Sequence, residues 1–283
     1  MPFYEQFTSY VTSMLQMHGS TLETLDYLSV SIQSDGTYAF KLYEKNSLEG
    51  KTMDDCSQSI VDSGLVASSL YVSSGITGID RYDFHISNQL NSDERMVGFL
   101  DVLQNGFNIE QSAMNEIVSL SQMPVLQENS GYRSLYCVGV ERKENIPHIC
   151  KLHFRTRMSI RYQDYYMDEY YLGYLEQRLP LFYSAPCAAV RQAVQSGHLL
   201  LVGVDCQHGS IVKRKLYIKI SDADGVYNAI CGIPNLPCIY KDFFVELSDS
   251  VDRDGRMFID GFALCFSCGS LSSINYYLAL RRV

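Results

Sequence analysis

The feature that most limits what this chain can become is a repeat: two strand-like runs around a short polar turn recur five times, separated by helical stretches. Residues 26–45 (DYLSVSIQSDGTYAFKLYEK) turn at Ser-Asp-Gly, 132–157 at Lys-Glu-Asn-Ile-Pro, 198–220 at Gln-His-Gly-Ser and 257–282 around Cys-Gly-Ser. A weaker copy at 64–87 is punctuated by Ser-Ser-Gly and Thr-Gly. Turns this short make each pair an antiparallel hairpin. Between the hairpins the apolar spacing lengthens from two to about 3.6, the period of helices that cover a sheet. Segments 3–17, 93–104, 160–178, 183–195 and 239–247 show it, the first with Phe3, Phe7, Tyr10, Val11 and Met14 on one face. Successive antiparallel hairpins exclude the alternation that builds parallel sheets. The expected fold is α+β: a ten-stranded antiparallel β-barrel of five hairpins inside a ring of helices, one domain over residues 1–283. Closure removes the sheet edges and leaves a chamber.

Alternation along the second strand of each hairpin then sorts the side chains by face. Lys41, Tyr43 and Lys45 share one face, as do Lys151, His153, Arg155 and Arg157. So do Lys213, Lys215, Tyr217 and Lys219, and likewise Asn275, Tyr277 and Arg281. The opposite sets are mostly apolar and must meet the helices, which turns the polar sets toward the lumen. In the weak copy two phases are open: either Arg81, Asp83 and His85 face inward, or Tyr82 and Phe84 do. Cations gathered in a partly enclosed space repel one another unless an anion fills it. Lysines clamp phosphate oxygens as point charges and tyrosine hydroxyls add donors, so a diphosphate suits the set. The whole chain has 32 acidic and 23 basic residues, a net charge of −9, which excludes a general attraction to nucleic acid or anionic membranes. The expectation is an acidic exterior of turns and helices around a basic interior.

At these residues the chain resembles the ABBA-fold (PT-barrel) prenyltransferases, which are built from five helix-strand-strand-helix repeats, and most of all their cyanobactin-type peptide prenyltransferase branch. IQSDGTYAFK in the first hairpin and GVERKENIPHICKLHFR in the third resemble the corresponding hairpins of that branch. Lys213-x-Lys215-x-Tyr217 resembles the diphosphate-binding strand of the indole-modifying branch. The resemblance implies a transferase that moves an allylic prenyl group, dimethylallyl or geranyl, from its diphosphate to an acceptor. The acceptor would be an electron-rich Tyr-, Trp- or His-type side chain of a peptide, as in RiPP maturation, or a small aromatic molecule. It implies diphosphate contacts from Lys41, Lys151, His153, Arg155, Lys213, Lys215, Tyr217 and Tyr277, with Tyr43 and Asn275 in the cation shield or acceptor pocket. It also implies a first-strand acid as general base, for which Asp26 is preferred to Glu23, and it allows Mg²⁺ beside the diphosphate. The alternative is a non-catalytic barrel that binds a phosphorylated or acidic small molecule.

The remaining signals have plainer readings. Nine cysteines, an odd number without framework spacing, read as buried thiols of a reducing compartment. No run of 18 apolar residues occurs, and the first ten residues carry an acid where a signal peptide is basic, so a cytoplasmic protein, a monomer or weak dimer, is expected. Cys265 and Cys268 fall on opposite faces of a strand, and the Asp252-Arg-Asp254-Gly255 stretch has Gly261 where a calcium loop needs its last ligand. No residue is assigned to a metal. The tyrosine-dense helix (Tyr162, Tyr165, Tyr166, Tyr170, Tyr171, Tyr174) is expected to pack on the barrel wall.

Overall fold

A computed structural model describes residues 3–18, 25–50, 52–75, 78–86, 93–125, 134–144, 146–156, 165–178, 191, 197–220, 222–233 and 235–281. Helix α1 (Phe3–His18) leads into the hairpin of β1 (Leu25–Gln33) and β2 (Tyr38–Ser47). Helix α2 (Asp55–Asp62) precedes β3 (Val66–Gly75) and β4 (Gly78–Ile86). Helices α3 (Asp93–Phe107) and α4 (Gln111–Ser121) precede β5 (Leu135–Lys143) and β6 (Ile146–Arg155). Next come α5 (Tyr165–Arg178), β7 (His198–Gln207) and β8 (Ser210–Lys219). Helices α6 (Ala223–Cys231) and α7 (Cys238–Asp254) lead to the last hairpin, β9 (Met257–Ser267) and β10 (Ser270–Leu280). Every strand pairs antiparallel with its neighbour, and β1 pairs with β10, so the ten strands close into a barrel. With seven helices among the described residues, this is the expected ABBA architecture.

The local chemistry explains the turns. In the first, the Asp35 carboxylate accepts hydrogen bonds from the Thr37 amide (2.9 Å) and hydroxyl (2.7 Å). His208 with Gly209, and Cys268 with Gly269, all have positive φ, the two-residue pattern whose twist matches a hairpin. Cys268 therefore sits in an exposed turn, apart from the buried Cys265. Outside the wall, Phe40, Leu42, Leu152, Phe154, Leu216, Ile274, Tyr276 and Leu278 are buried as the alternation requires. Phe3, Phe7 and Val11 of α1 bury the predicted helix face; the Met14 side chain lies outside the described residues. Arg214, the one charged side chain in the outer set of β8, is met by Glu116 of α4 through two hydrogen bonds of 2.8 and 2.7 Å.

Several expectations change. Tyr82 and Phe84 are buried in the outer core, which settles the second hairpin in favour of an inward Arg81 and Asp83. Arg281 lies past β10, where its Nε donates to the Met257 carbonyl instead of entering the lumen. Helices α2, α4 and α6 were not foreseen, being only 8 to 11 residues long. The predicted helix at 183–195 falls outside the described residues except for residue 191, as does the start of the one at 160–178. In α5, Tyr171 is fully buried and Tyr174 donates to the Ser119 carbonyl at 2.9 Å, while Tyr170 is exposed; Tyr162 and the side chains of Tyr165 and Tyr166 are outside the described residues. Among the described residues no helix is long and apolar enough to cross a membrane.

The β9–β10 register slips between Tyr277 and Leu278, which leaves Asp260 as the extra residue of a bulge beside Gly261. Gly261 has φ of 152°, and a Cβ there would lie 2.5 Å from the Ile218 carbonyl oxygen. Gly261→Ala is expected to lower stability by about 1–3 kcal/mol in urea unfolding. Gly98→Ala in α3, where a Cβ meets nothing within 4 Å, should raise it by up to about 1 kcal/mol.

Candidate active site inside the barrel

One end of the lumen holds a cavity of about 360 Å³. Its wall is strongly aromatic, with Tyr27, Tyr43, Tyr71, Tyr136, Tyr217 and Tyr277 contributed by six different strands. The Tyr217 and Tyr277 ring centroids are 5.7 Å apart, Tyr43 and Tyr277 are 6.5 Å apart, and His153 meets Tyr217 edge-on at 5.4 Å. The rings already hold cations: the Arg81 guanidinium is 5.2 Å from the Tyr43 ring centre and that of Arg155 is 4.9 Å from Tyr136. Ring faces that accept guanidinium can also face a carbocation.

Beyond the cavity the lumen is filled by ion pairs. Lys41 is 3.4 Å from Glu141, Glu141 is 3.0 Å from Lys151, Lys151 is 3.0 Å from Asp205, and Asp205 is 2.7 Å from Lys215. At the cavity wall Arg81 binds Asp83 at 2.7 Å, and Lys219 pairs with Asp260. The expected basic interior, with acids confined to turns and helices, is therefore corrected: four carboxylates share the lumen with the cations. The physical reason is desolvation, since a buried ammonium needs a partner of opposite charge whether or not a ligand is bound. These acids sit on β4, β5, β7 and β9, mostly first strands of hairpins, whereas the face sorting considered second strands. A signal was present: Val-Gly-Val-Glu at 138–141 and Val-Gly-Val-Asp at 202–205 occupy equivalent places in two hairpins. The glycines in those motifs make room. A Cβ at Gly139 would lie 2.5 Å from Asp83 Oδ1, and one at Gly203 would lie 3.1 Å from the Tyr217 ring and 3.2 Å from that of His153.

The electrostatics follow from these contacts. Burial disfavours the Glu141 charge, but Lys151 and Lys41 outweigh burial and hold its carboxyl at about 2. Burial is likewise outweighed at Asp205 by Lys215 and Lys151, which keep it ionised, and at Lys215 by Asp205, which keeps the ammonium charged. His153 is driven well below its usual value by burial and by the neighbouring Arg81 and Lys215 charges, so it is neutral at pH 7. Burial raises the phenols of Tyr217 and Tyr277 well above the ordinary range, which keeps them as hydrogen-bond donors.

Of the residues singled out from the sequence, Tyr43, His153, Arg155, Tyr217 and Tyr277 line the cavity. Lys41, Lys151 and Lys215 are in the ion-pair chain, and Lys213 stands opposite Asp205 in the β7–β8 register. Asn275 lies between Ser31 and Ala263, and its Oδ1 is buried with no hydrogen-bond partner among the described residues. Asp26 is in β1 immediately before the cavity residue Tyr27, at a register shift against β2; its side chain is outside the described residues. Sequence reasoning missed Glu141, Asp205, Asp260 and Cys137, and the wall tyrosines Tyr27, Tyr71 and Tyr136.

Comparison with known proteins places this barrel. No protein-family model and no curated protein matches the chain. Among solved structures, 6-dimethylallyltryptophan synthase from Micromonospora olivasterospora, crystallised with DMASPP and Trp, is similar with a TM-score of 0.58 and 9% identity, over 90% of this chain and 81% of that one. AnaPT from Neosartorya fischeri has a TM-score of 0.59 at 12% identity, over 92% and 79%. The NotF prenyltransferase has 0.60 at 11%, over 89% and 80%. The chain thus has the fold of the aromatic prenyltransferases of the ABBA type.

The Glu141 shift has a sign that can be tested. Its folded pKa of about 2 lies below the ordinary 4.5, so its contribution to stability is complete above pH 4.5 and fades as pH falls toward 2. Glu141→Gln should flatten that acid limb in urea unfolding measured across the window, and lower stability at pH 7, where Lys151 and Lys41 lose their shared partner.

Proposed function

We propose that this protein is a prenyltransferase that moves an allylic group, dimethylallyl or geranyl, from its diphosphate to an electron-rich aromatic acceptor. The acceptor is a Tyr-, Trp- or His-type side chain of a peptide or a small aromatic molecule. The observation that carries this reading is the layering of one closed lumen: a cavity walled by tyrosine rings and two arginines adjoins a buried set of lysines held by carboxylates. A reaction that separates an allylic cation from a diphosphate needs both layers in contact. The solved neighbours crystallised with DMASPP or DMSPP and an aromatic acceptor support it.

In this reading each candidate residue has a role. Lys41, Lys151, Lys213 and Lys215, with donors from His153, Arg155, Tyr217 and Tyr277, hold the diphosphate and stabilise the charge that grows on it as the C1–O bond breaks. Asp205 and Glu141 keep the lysines extended into the lumen, so little reorganisation is needed when the anion arrives. Tyr43, Tyr217 and Tyr277 present ring faces to the allylic cation, while Asn275, placed in the same pocket by the resemblance, is not among the residues that line the cavity. The acceptor ring supplies the electron pair for the new bond, and Asp26 takes the proton it loses. Each described lumen carboxylate gives at least one oxygen to a lysine or arginine, which leaves too few oxygens for the all-oxygen cage of a resident Mg²⁺, and no step here uses one.

Incubation with dimethylallyl or geranyl diphosphate and a panel of Tyr-, Trp- and His-containing peptides and free tryptophan should add one prenyl mass to an acceptor. Tight diphosphate binding without any mass gain would sink the enzyme and leave a non-catalytic anion-binding barrel. Lys215→Ala should abolish binding of inorganic diphosphate in calorimetry; unaltered binding counts against the lumen assignment. Asp26→Asn should slow turnover by about 10²–10⁴-fold and leave diphosphate binding intact.

A further inference from the structure

We propose that Asp83, Cys137 and His153 form a binding site for one transition-metal ion of the zinc class, open to the lumen. The three residues lie on the adjacent strands β4, β5 and β6, where Cys137 pairs with His153 across one ladder and Asp83 neighbours Gly139 across the next. One ligand atom from each lies within 4.8 Å of the other two. Ligands of a tetrahedral zinc are about 3.3–3.8 Å apart at ordinary bond lengths, so a contraction of about 1 Å by side-chain torsion closes the site around an ion. All three residues are buried, at 4%, 4% and 7% exposure.

The neighbouring groups orient each donor. Arg81 holds Asp83 Oδ2 through Nε (2.8 Å) and Nη2 (2.7 Å), while Oδ1 faces the Cys137 sulfur at 4.0 Å. The Tyr217 hydroxyl is 2.9 Å from His153 Nε2, which fixes the ring and makes Nδ1 the nitrogen left for an ion. The same two glycines clear the space: a Cβ at 139 would strike Asp83 Oδ1, and one at 203 would press on the imidazole. Cys137 also differs from two of the other buried thiols. Cys150 and Cys206 lie in the apolar core, whereas Cys137 faces a carboxylate and borders the cavity.

The donor set decides the metal. Thiolate, imidazole and carboxylate together select zinc-class ions over Mg²⁺ or Ca²⁺, which prefer oxygen alone. On binding, the Cys137 S–H bond breaks, its proton leaves to solvent and the sulfur–metal bond forms. Asp83, Cys137 and His153 all line the cavity, so the fourth position takes water or a donor atom of whatever fills the lumen. The site stands on side-chain geometry and does not depend on prenyl transfer. With an ion on Nδ1 and Nε2 engaged by Tyr217, His153 has no N–H left for a diphosphate, which then rests on the lysines, Arg155, Tyr217 and Tyr277.

The test is Co²⁺ titration of the chelator-treated full chain. One Co²⁺ per chain is expected, with a thiolate-to-cobalt charge-transfer band and the intense visible bands of a tetrahedral ion. Cys137→Ser should abolish the charge-transfer band, and Cys265→Ser, at the other lumen-facing thiol, should keep it. Tyr217→Phe should retain the band but weaken Co²⁺ binding by about 10–100-fold. A Co²⁺-treated wild-type chain with no thiolate band overturns the proposal, and so does a band that survives in Cys137→Ser folded by circular dichroism. Where that variant does not fold, the Tyr217→Phe titration decides, and an unchanged affinity overturns it.

Discussion

Closure of the sheet through β1 and β10 is the constraint on which the rest of the molecule depends. A ten-stranded wall has an outside that must be kept dry by helices and an inside that no helix can reach. Each strand therefore carries two unrelated patterns, apolar residues such as Leu216 and Ile274 facing out, and polar ones such as Lys215 and Asn275 facing in. With each strand paired on both sides, the inner side chains are free to be chosen for chemistry rather than for cohesion. Gly261 shows how tightly closure constrains the wall, because its bulge brings the chain within a methyl's reach of the β8 backbone.

Enclosure then dictates the charge pattern. Lysines inside a barrel cannot be left unpaired, and the chain from Lys41 through Glu141, Lys151 and Asp205 to Lys215 satisfies them one against the next. The same pairing keeps the ammonium groups in fixed positions. In the proposed function a lumen prepared in this way meets a polyanion while its tyrosine collar meets an apolar or cationic chain. The Asp83–Cys137–His153 cluster lies in the wall of the cavity itself.

Much of this was legible. Five hairpins, their turns and the inward phase of Lys151, His153, Lys215, Tyr217 and Tyr277 followed from period-two alternation, because that period is a property of the strand itself. Short helices such as α2 were not legible: eight residues give too few turns for a periodicity to stand out. The inward acids were missed because their strands read as hydrophobic, with Val138, Val140, Val202 and Val204 masking single inward carboxylates. Cys137 looked like an ordinary buried thiol for the same reason.

The sequence by itself determined the repeat, the antiparallel hairpins, the ring of helices and which side of each second strand is polar, since all of these are local in the chain. Only the tertiary structure decided that Lys151 faces Asp205, 54 residues away, and that Asp83, Cys137 and His153 converge. Partnership across a barrel depends on register between strands and on the curvature that closes them, and neither is written in the spacing of any one strand.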